Sequence, residues 1–304
     1  MSTSCTPFTW SSSSFESLQP SLIICSIGLV IHGLFWIQLI LCPNLRQRNM
    51  MWLFVYLITD LCLLIRFFVL YGIRLASVCL YPTARDVLCY FEASSKYYLN
   101  FIQSYLLLAF NVCRYLQIVF NRNIYIERPY SIILTHCFIY VFPPLIIVTQ
   151  FSTSAASIWR RRGESCDIQY RDISVQIINL FLSYIIPVVV NVIILGLCIR
   201  YVSSTKGILS EQIIVLRRKR QRTLLQQTIL FYSIWMVLWS PDMLAFQFVN
   251  TNSDPSVVTS ILSYVENVLD PMIIGIIDIR FLTSWKSLWH FMRRRQRQIG
   301  VVHQ

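Results

Sequence analysis

Seven stretches of mostly apolar residues, each long enough to cross a lipid bilayer as a helix, are separated by short polar or basic segments. A hydrocarbon core about 30 Å thick takes roughly 20 helical residues. The runs that meet this length are Ser21–Cys42, Met51–Ile73, Phe91–Phe120, Ser131–Phe151, Ile173–Ile199, Thr223–Val249 and Val257–Ile279. The first, fourth and fifth carry no formal charge. The second holds Asp60 and Arg66, the third Glu92, Lys96 and Arg114, the sixth Asp242, and the seventh Glu266, Asp270 and Asp278. None alternates over about ten residues as the strands of a membrane barrel do. Lipid offers the backbone no hydrogen bonds, so such segments satisfy themselves as helices. The expected fold is an all-α membrane protein, a seven-transmembrane helix bundle with a short amphipathic surface helix after span seven.

Composition agrees. Only 13% of the 304 residues are charged, against about a quarter in soluble domains. The net charge of +12 does not point to nucleic acid, because the basic residues cluster between apolar runs instead of covering one face. With the N-terminus outside, the inner segments hold Arg46, Arg48, Arg114, Arg122, Arg128, Arg200, Lys206, Arg217, Arg218, Lys219, Arg220, Arg222, Arg280, Lys286, Arg293, Arg294, Arg295 and Arg297, which is 18 cations. The outer segments hold 6, namely Arg74, Arg85, Arg160, Arg161, Arg162 and Arg171. This excess predicts an outer N-terminus and an inner C-terminus in a multi-pass protein of the plasma membrane.

Residues 1–20 are expected to form a polar extracellular N-terminus, with no cleavable signal peptide, and residues 21–279 the seven-span domain. Residues 280–304 then supply an amphipathic helix and a basic cytoplasmic tail. In the stretch Phe281–Met292, Phe281, Trp285, Leu288, Trp289 and Met292 recur at helical spacing, which suits a helix whose aromatic face lies in the headgroup boundary. Ser210–Arg222 is expected to extend the sixth helix into the cytoplasm.

Several short motifs occur in register with the spans. Leu57-Ile58-Thr59-Asp60-Leu61 centres an acid in span two. Asn111-Val112-Cys113-Arg114-Tyr115 closes span three, with Cys89 lying 25 residues before Arg114. Pro187 stands midway along span five, Trp239-Ser240-Pro241 lies in span six, and Asp270-Pro271 lies in span seven. Together these resemble rhodopsin-like G-protein-coupled receptors over about residues 20–290. The departures are Cys113 in place of the family's Asp before Arg114, Ile274 and Leu195 at its tyrosine positions, no Trp in span four, and no Asn in span one.

The resemblance implies specific roles. Cys89 would pair with Cys166 of the second outer loop. Arg114, Tyr115, Arg218, Arg220 and Arg222 would face a heterotrimeric G protein, and Trp239, Pro241, Asp270, Pro271 and Pro187 would form the switch. Asp60, Gln103, Glu266, Asn267 and Asp270 would converge as a cation or proton site. A sodium ion in the core is then the one candidate cofactor, and no other metal is expected. Independently of family, intramembrane carboxyls are costly and usually functional, and neighbouring acids must share a cation or protons. With Cys113 unable to restrain Arg114, measurable basal signalling is expected.

Arg66, Lys96, Tyr97, Asp242, Gln247 and Tyr264 would line a mixed-charge ligand pocket. A cation at Lys96 disfavours biogenic amines and leaves a peptide or an anionic small molecule. Lys96 could equally pair with Glu92 one turn away. Arg217–Arg222 and Arg293–Arg297 could hold anionic membrane lipid. A second outer disulfide between Cys5 and Cys79 is left open. No Ser-His-Asp set or phosphate loop suggests an enzyme. The alternative function is an ion- or proton-coupled transporter or channel using Asp60, Glu266 and Asp270, although no internal repeat of the kind transporters carry is visible.

Overall fold

The computed structural model describes residues 6–47, 50–120, 122, 124–159, 163–204, 211–248, 254–277 and 280–284. Long helices dominate: α1 (Ser12–Leu41), α2 (Met51–Leu75), α3 (Pro82–Val119), α5 (Pro129–Ser152), α6 (Ile173–Leu180) continued by α7 (Ile186–Ser204), α8 (Glu211–Phe248) and α9 (Asp254–Ile277), with the one-turn α4 (Ile124–Glu127) between α3 and α5. Among the described residues, six helical segments are long and apolar enough to cross a membrane: α1, α2, α5, the joined α6–α7, and the apolar parts of α8 and α9. The chain is therefore an all-α, multi-pass membrane protein.

Helix α3 stands apart from those six. Its 38 residues span about 57 Å, yet it carries Arg85, Asp86, Glu92, Lys96 and Arg114. Many of its apolar side chains and several of its polar ones, Glu92, Asn100, Gln103, Ser104 and Asn111, are buried. It packs against α2, α5 and α7. A helix enclosed by its neighbours can be polar where an outer one cannot, since its polar groups find partners in protein.

The outer helices show the inverse pattern. Along α1, Ile23, Ile27, Val30, Leu34, Ile37 and Leu41 form an exposed apolar stripe at three- and four-residue spacing, while Cys25, Gly28, His32, Phe35, Gln38 and Leu39 are buried. Exposed apolar and buried polar groups make sense only where the surrounding solvent is lipid. The polar residues of α1 reach α9 and the turn beyond its C-terminal end. His32 Nε2 donates to the Asn267 carbonyl at 3.0 Å, and Gln38 Nε2 to the Phe281 carbonyl at 2.8 Å. Gly28 lies where a Cβ would meet Val268 at 2.6 Å and Leu64 at 3.1 Å, so only a hydrogen side chain lets these backbones approach.

Local signals set the helix ends. Ser11 caps α1, its hydroxyl accepting from Ser14 N at 3.2 Å. Pro82 and Pro129 open α3 and α5 at positions where a missing N–H costs nothing. In the α6–α7 segment the winding loosens to a π-helical turn over Phe181–Ile185, just before Pro187. Ile186 N–H there bonds back to the Phe181 carbonyl, and Pro187 has no N–H. The Leu182 carbonyl is thus left without a main-chain donor, and the Tyr105 hydroxyl of α3 supplies one at 2.9 Å.

At one end of the bundle lie two small antiparallel pairs: β1 (Thr6–Pro7) on β2 (Cys79–Leu80), and β3 (Ala156–Trp159) on β4 (Asp167–Tyr170). Gly163, at φ +84°, turns the chain between β3 and β4. Its carbonyl accepts from Ser11 N at 2.9 Å, and a Cβ there would meet that same nitrogen at 2.9 Å.

Two expectations change. Residues 1–20 are not simply a polar tail, because the helix begins at Ser12 and Phe15 stacks on Tyr71 with ring centroids 6.1 Å apart. The tail's apolar residues thus continue the α1 face. Phe281, expected in the headgroup boundary, is fully buried and stacks on Phe35 at 5.0 Å. Residues 280–284 are helical, and the rest of the expected surface helix, 285–292, lies outside the described residues.

Candidate functional site

Helix α3 threads three polar regions, one at the strand end of the bundle, one at its centre and one at the opposite end. At the strand end, Cys89 of α3 is bonded to Cys166 just before β4, with Cα atoms 5.3 Å apart. This holds β4 against α3, as the resemblance implied. Cys79 is also disulfide-bonded, while Cys5 lies outside the described residues.

Around that linkage, Arg74 and Glu92 form a fully buried ion pair. Arg74 Nη1 also donates to the Glu164 carbonyl at 2.5 Å, and Glu92 Oε2 accepts from Cys166 N at 3.1 Å. The rings of Phe8 and Trp10 lie 4.0 and 4.2 Å from the Arg74 guanidinium. Cation–π contacts of this kind are strongest when desolvated. One arginine therefore joins the N-terminal strap, α2, α3 and the loop between β3 and β4.

Beneath the strap lies a cavity of about 120 Å³, walled by Trp10, Leu18, Phe67, Leu70, Tyr71 and Tyr264 on its apolar sides and by Arg66, Glu92, Lys96, Asp167 and Ser260 among its polar groups. Of the six predicted pocket residues, Arg66, Lys96 and Tyr264 line it. Lys96 does not pair with Glu92; its Nζ donates to Asp242 Oδ1 and to Ser260 Oγ, each at 3.0 Å. Asp242 is consumed by this pair and by Ser260. Tyr97 packs into an aromatic cluster with Phe101, away from the cavity lining. Gln247 is buried outside that lining as well. Sequence reasoning placed these residues at the right depth, but depth does not say which side of a helix faces the cavity.

At the bundle centre the expected cluster is assembled. Asp60, Gln103, Glu266, Asn267 and Asp270 are all buried. Gln103 Nε2 donates to Asp60 Oδ1 and, at 3.3 Å, to Asn267 Oδ1. The Tyr56 hydroxyl reaches Glu266 Oε1 at 2.7 Å and Asp270 Oδ2 at 2.6 Å. Glu266 and Asp270 thus meet at one hydroxyl, with Asp60 buried in the same cluster. Acids buried together cannot all stay ionised, so the arrangement suits proton sharing. Among the described residues no group of three or more His, Cys, Asp or Glu has metal-holding geometry. The sodium expectation therefore finds a set of acids bridged by hydrogen bonds, with Tyr56 unanticipated among them.

Beside this cluster, Trp239 is fully buried and stacks on Trp235 at 4.4 Å, which in turn stacks on Tyr232 at 5.3 Å. Tyr184, from the π turn, lies 5.8 Å from Trp239, and its hydroxyl donates to Ser240 Oγ at 2.8 Å. The π turn before Pro187 and the Trp239–Pro241 stretch of α8 are thus tied to each other. Pro271 and Asp270 lie inside α9. The π turn that presents Tyr184 had no sequence signal beyond Pro187 itself.

At the far end, Arg114 lines a small cleft of about 50 Å³ with Met50, Leu53, Phe110, Gln227, Thr228, Phe231 and Ile274. Its guanidinium lies 5.0 Å from the Phe110 ring. Cys113 is buried beside Tyr125 of α4, close to Arg114. Asn111 Nδ2 donates to Asn191 Oδ1 at 2.7 Å, joining α3 to α7. Tyr115 is half-buried and Arg222 exposed. The side chains of Arg218 and Arg220 lie outside the described residues. Sequence reasoning missed Tyr125, Asn191, Tyr105 and Tyr56, which are ordinary residues that matter through their partners.

Compared with models of known protein families and with curated proteins, the chain gives no match.

Proposed function

We propose that this protein is a cell-surface receptor of the rhodopsin-like type, with seven spans and an extracellular N-terminus, that binds a small extracellular ligand and activates a heterotrimeric G protein. The observation that carries this reading is the placing of two cavities at opposite ends of one enclosed helix. Lys96 faces the outer cavity and Arg114 the inner cleft, 18 residues or about 27 Å apart along α3. Between them lie the protonatable cluster and the coupled bends of α7 and α8, elements with the means to exist in two packings. Ligand in one cavity would bias that equilibrium, and the exposure of the other end would report it.

The test is nucleotide exchange on a panel of purified G proteins by the reconstituted chain, compared with its Arg114→Ala variant. Exchange above that of empty vesicles, lost in the variant, is the expected result. Absence of exchange with every G protein would overturn the reading. A second reading, a proton-coupled transporter, draws on the buried acids Asp60, Glu266 and Asp270 gathered around Tyr56 and Gln103. Proton flux across the same vesicles, abolished by Asp60→Asn, would favour it instead.

A further inference from the structure

We propose that the outer cavity binds a small molecule bearing one carboxylate on an apolar body, with Arg66 as the anchor for its charge. The inference rests on the receptor reading only for its setting and narrows the ligand class.

The argument is one of charge accounting. Three cations stand at or beside the cavity. Arg74 is committed to Glu92, and Lys96 is committed to Asp242. Arg66 differs from both. Its Nη2 donates to the backbone carbonyl of Glu92 and its Nε to the Ser95 hydroxyl at 2.5 Å, both neutral acceptors. Among the described residues neither ion pair involves Arg66. The nearest acid, Glu92, has its carboxylate turned to Arg74 and the Cys166 amide. Asp167 lines the same cavity and keeps its charge, its Oδ1 accepting from the Ile168 amide at 2.8 Å, but among the described residues no ion pair joins it to Arg66. A half-buried guanidinium held in place by two neutral acceptors, with an edge toward a cavity, is preorganised to receive an anion.

Among the described residues that line the cavity, Arg66 is the cation held by neutral acceptors alone, and one such cation matches a monoanion. A phosphate near two negative charges would need Lys96 as well, and drawing Lys96 away would leave Asp242 buried and unpaired. The remaining walls, Phe67, Leu70, Tyr71 and Tyr264, suit an aliphatic or aromatic body. The strap residue Trp10, which forms part of the wall, leaves less room for a long peptide.

The experiment uses the full chain in lipid nanodiscs, with indole-3-acetate and decanoate as probes, each compared with its primary amide. Binding is read by thermal stabilisation and by ligand-detected NMR. A charge-assisted hydrogen bond contributes ~1.5–3 kcal/mol, so each acid is expected to bind on the order of 10- to 100-fold more tightly than its amide. Arg66→Gln should remove that difference while leaving amide binding unchanged, and Arg66→Lys should keep part of it. If Arg66→Gln fails to fold, the acid–amide comparison on the unaltered chain and the Arg66→Lys variant still decide. Equal binding of acid and amide, no saturable binding of either acid, or a preference for the corresponding amines would overturn the proposal. None of these readouts needs a G protein, so failure here is separable from failure of the receptor reading.

Discussion

At the scale of single residues, the heaviest electrostatic commitments are made by pairs that cannot be broken from one side. Removing Arg74 would leave the Glu92 carboxylate buried with only the Cys166 amide. Truncating one partner of a buried pair costs ~3–5 kcal/mol, whereas replacing both is often nearly neutral. Arg74→Ala should therefore abolish surface expression, and Arg74→Met with Glu92→Gln should recover much of it, as read by cell-surface labelling and thermal unfolding. Tyr56→Phe removes the hydroxyl bridging Glu266 and Asp270. It should lower stability by ~1–3 kcal/mol, seen as a drop in the melting temperature of the purified protein. Cys113→Asp should reduce basal G-protein activation, because a carboxylate beside Arg114 would restrain it; unchanged basal activity would argue against a role for that position. The acids of the central cluster were legible in the sequence because a charge in an apolar run stands out. Tyr56, Tyr105 and Tyr125 were not, since a tyrosine is common in membrane helices and its partners come from other elements.

Among elements, the bend in α6–α7 shows how one residue's missing N–H is resolved by two neighbours. Pro187 was readable, but the π turn before it depends on whether another helix can satisfy the freed carbonyl, and Tyr105 of α3 does so. Tyr105→Phe should therefore destabilise the fold by ~1–3 kcal/mol through the orphaned Leu182 carbonyl, whereas the nearby Tyr98→Phe should change little, since Tyr98 donates at 3.4 Å from an exposed position. The close approach of α1 to α9 makes a second prediction. Gly28→Val would drive two methyls into Val268 and Leu64, and overpacking of this kind costs ~1–3 kcal/mol. Thermal unfolding of the variant in detergent checks it. The order of the helices was legible from hydropathy, because lipid imposes one rule on apolar segments, but not all of their starts: α1 begins at Ser12 and α3 at Pro82, each well before its apolar run. The pairing of β3 with β4 was not: four-residue strands carry too short a pattern to stand out from a polar loop.

Over the whole molecule, the asymmetry of basic residues sets a directional expectation. An epitope placed before Ser12 should be labelled on intact cells and one placed after Gln304 only after permeabilisation; the reverse pattern would invert the topology. The composition showed that lipid is the solvent. It could not show that α3, with its five charged residues, is enclosed by α2, α5 and α7, because enclosure belongs to the packing and not to the segment. The seam between α1 and α9 has a further consequence, for biosynthesis. Helix α1 leaves the ribosome long before α9 and carries His32 and Gln38, whose partners, the carbonyls of Asn267 and Phe281, lie at sequence separations of 235 and 243 residues. Until those arrive, two polar side chains sit in lipid without their final acceptors. The ring of helices closes last at its oldest member, so a chain stopped before α9 would present an unfinished α1 to the cell's quality control, however well the intervening helices had packed.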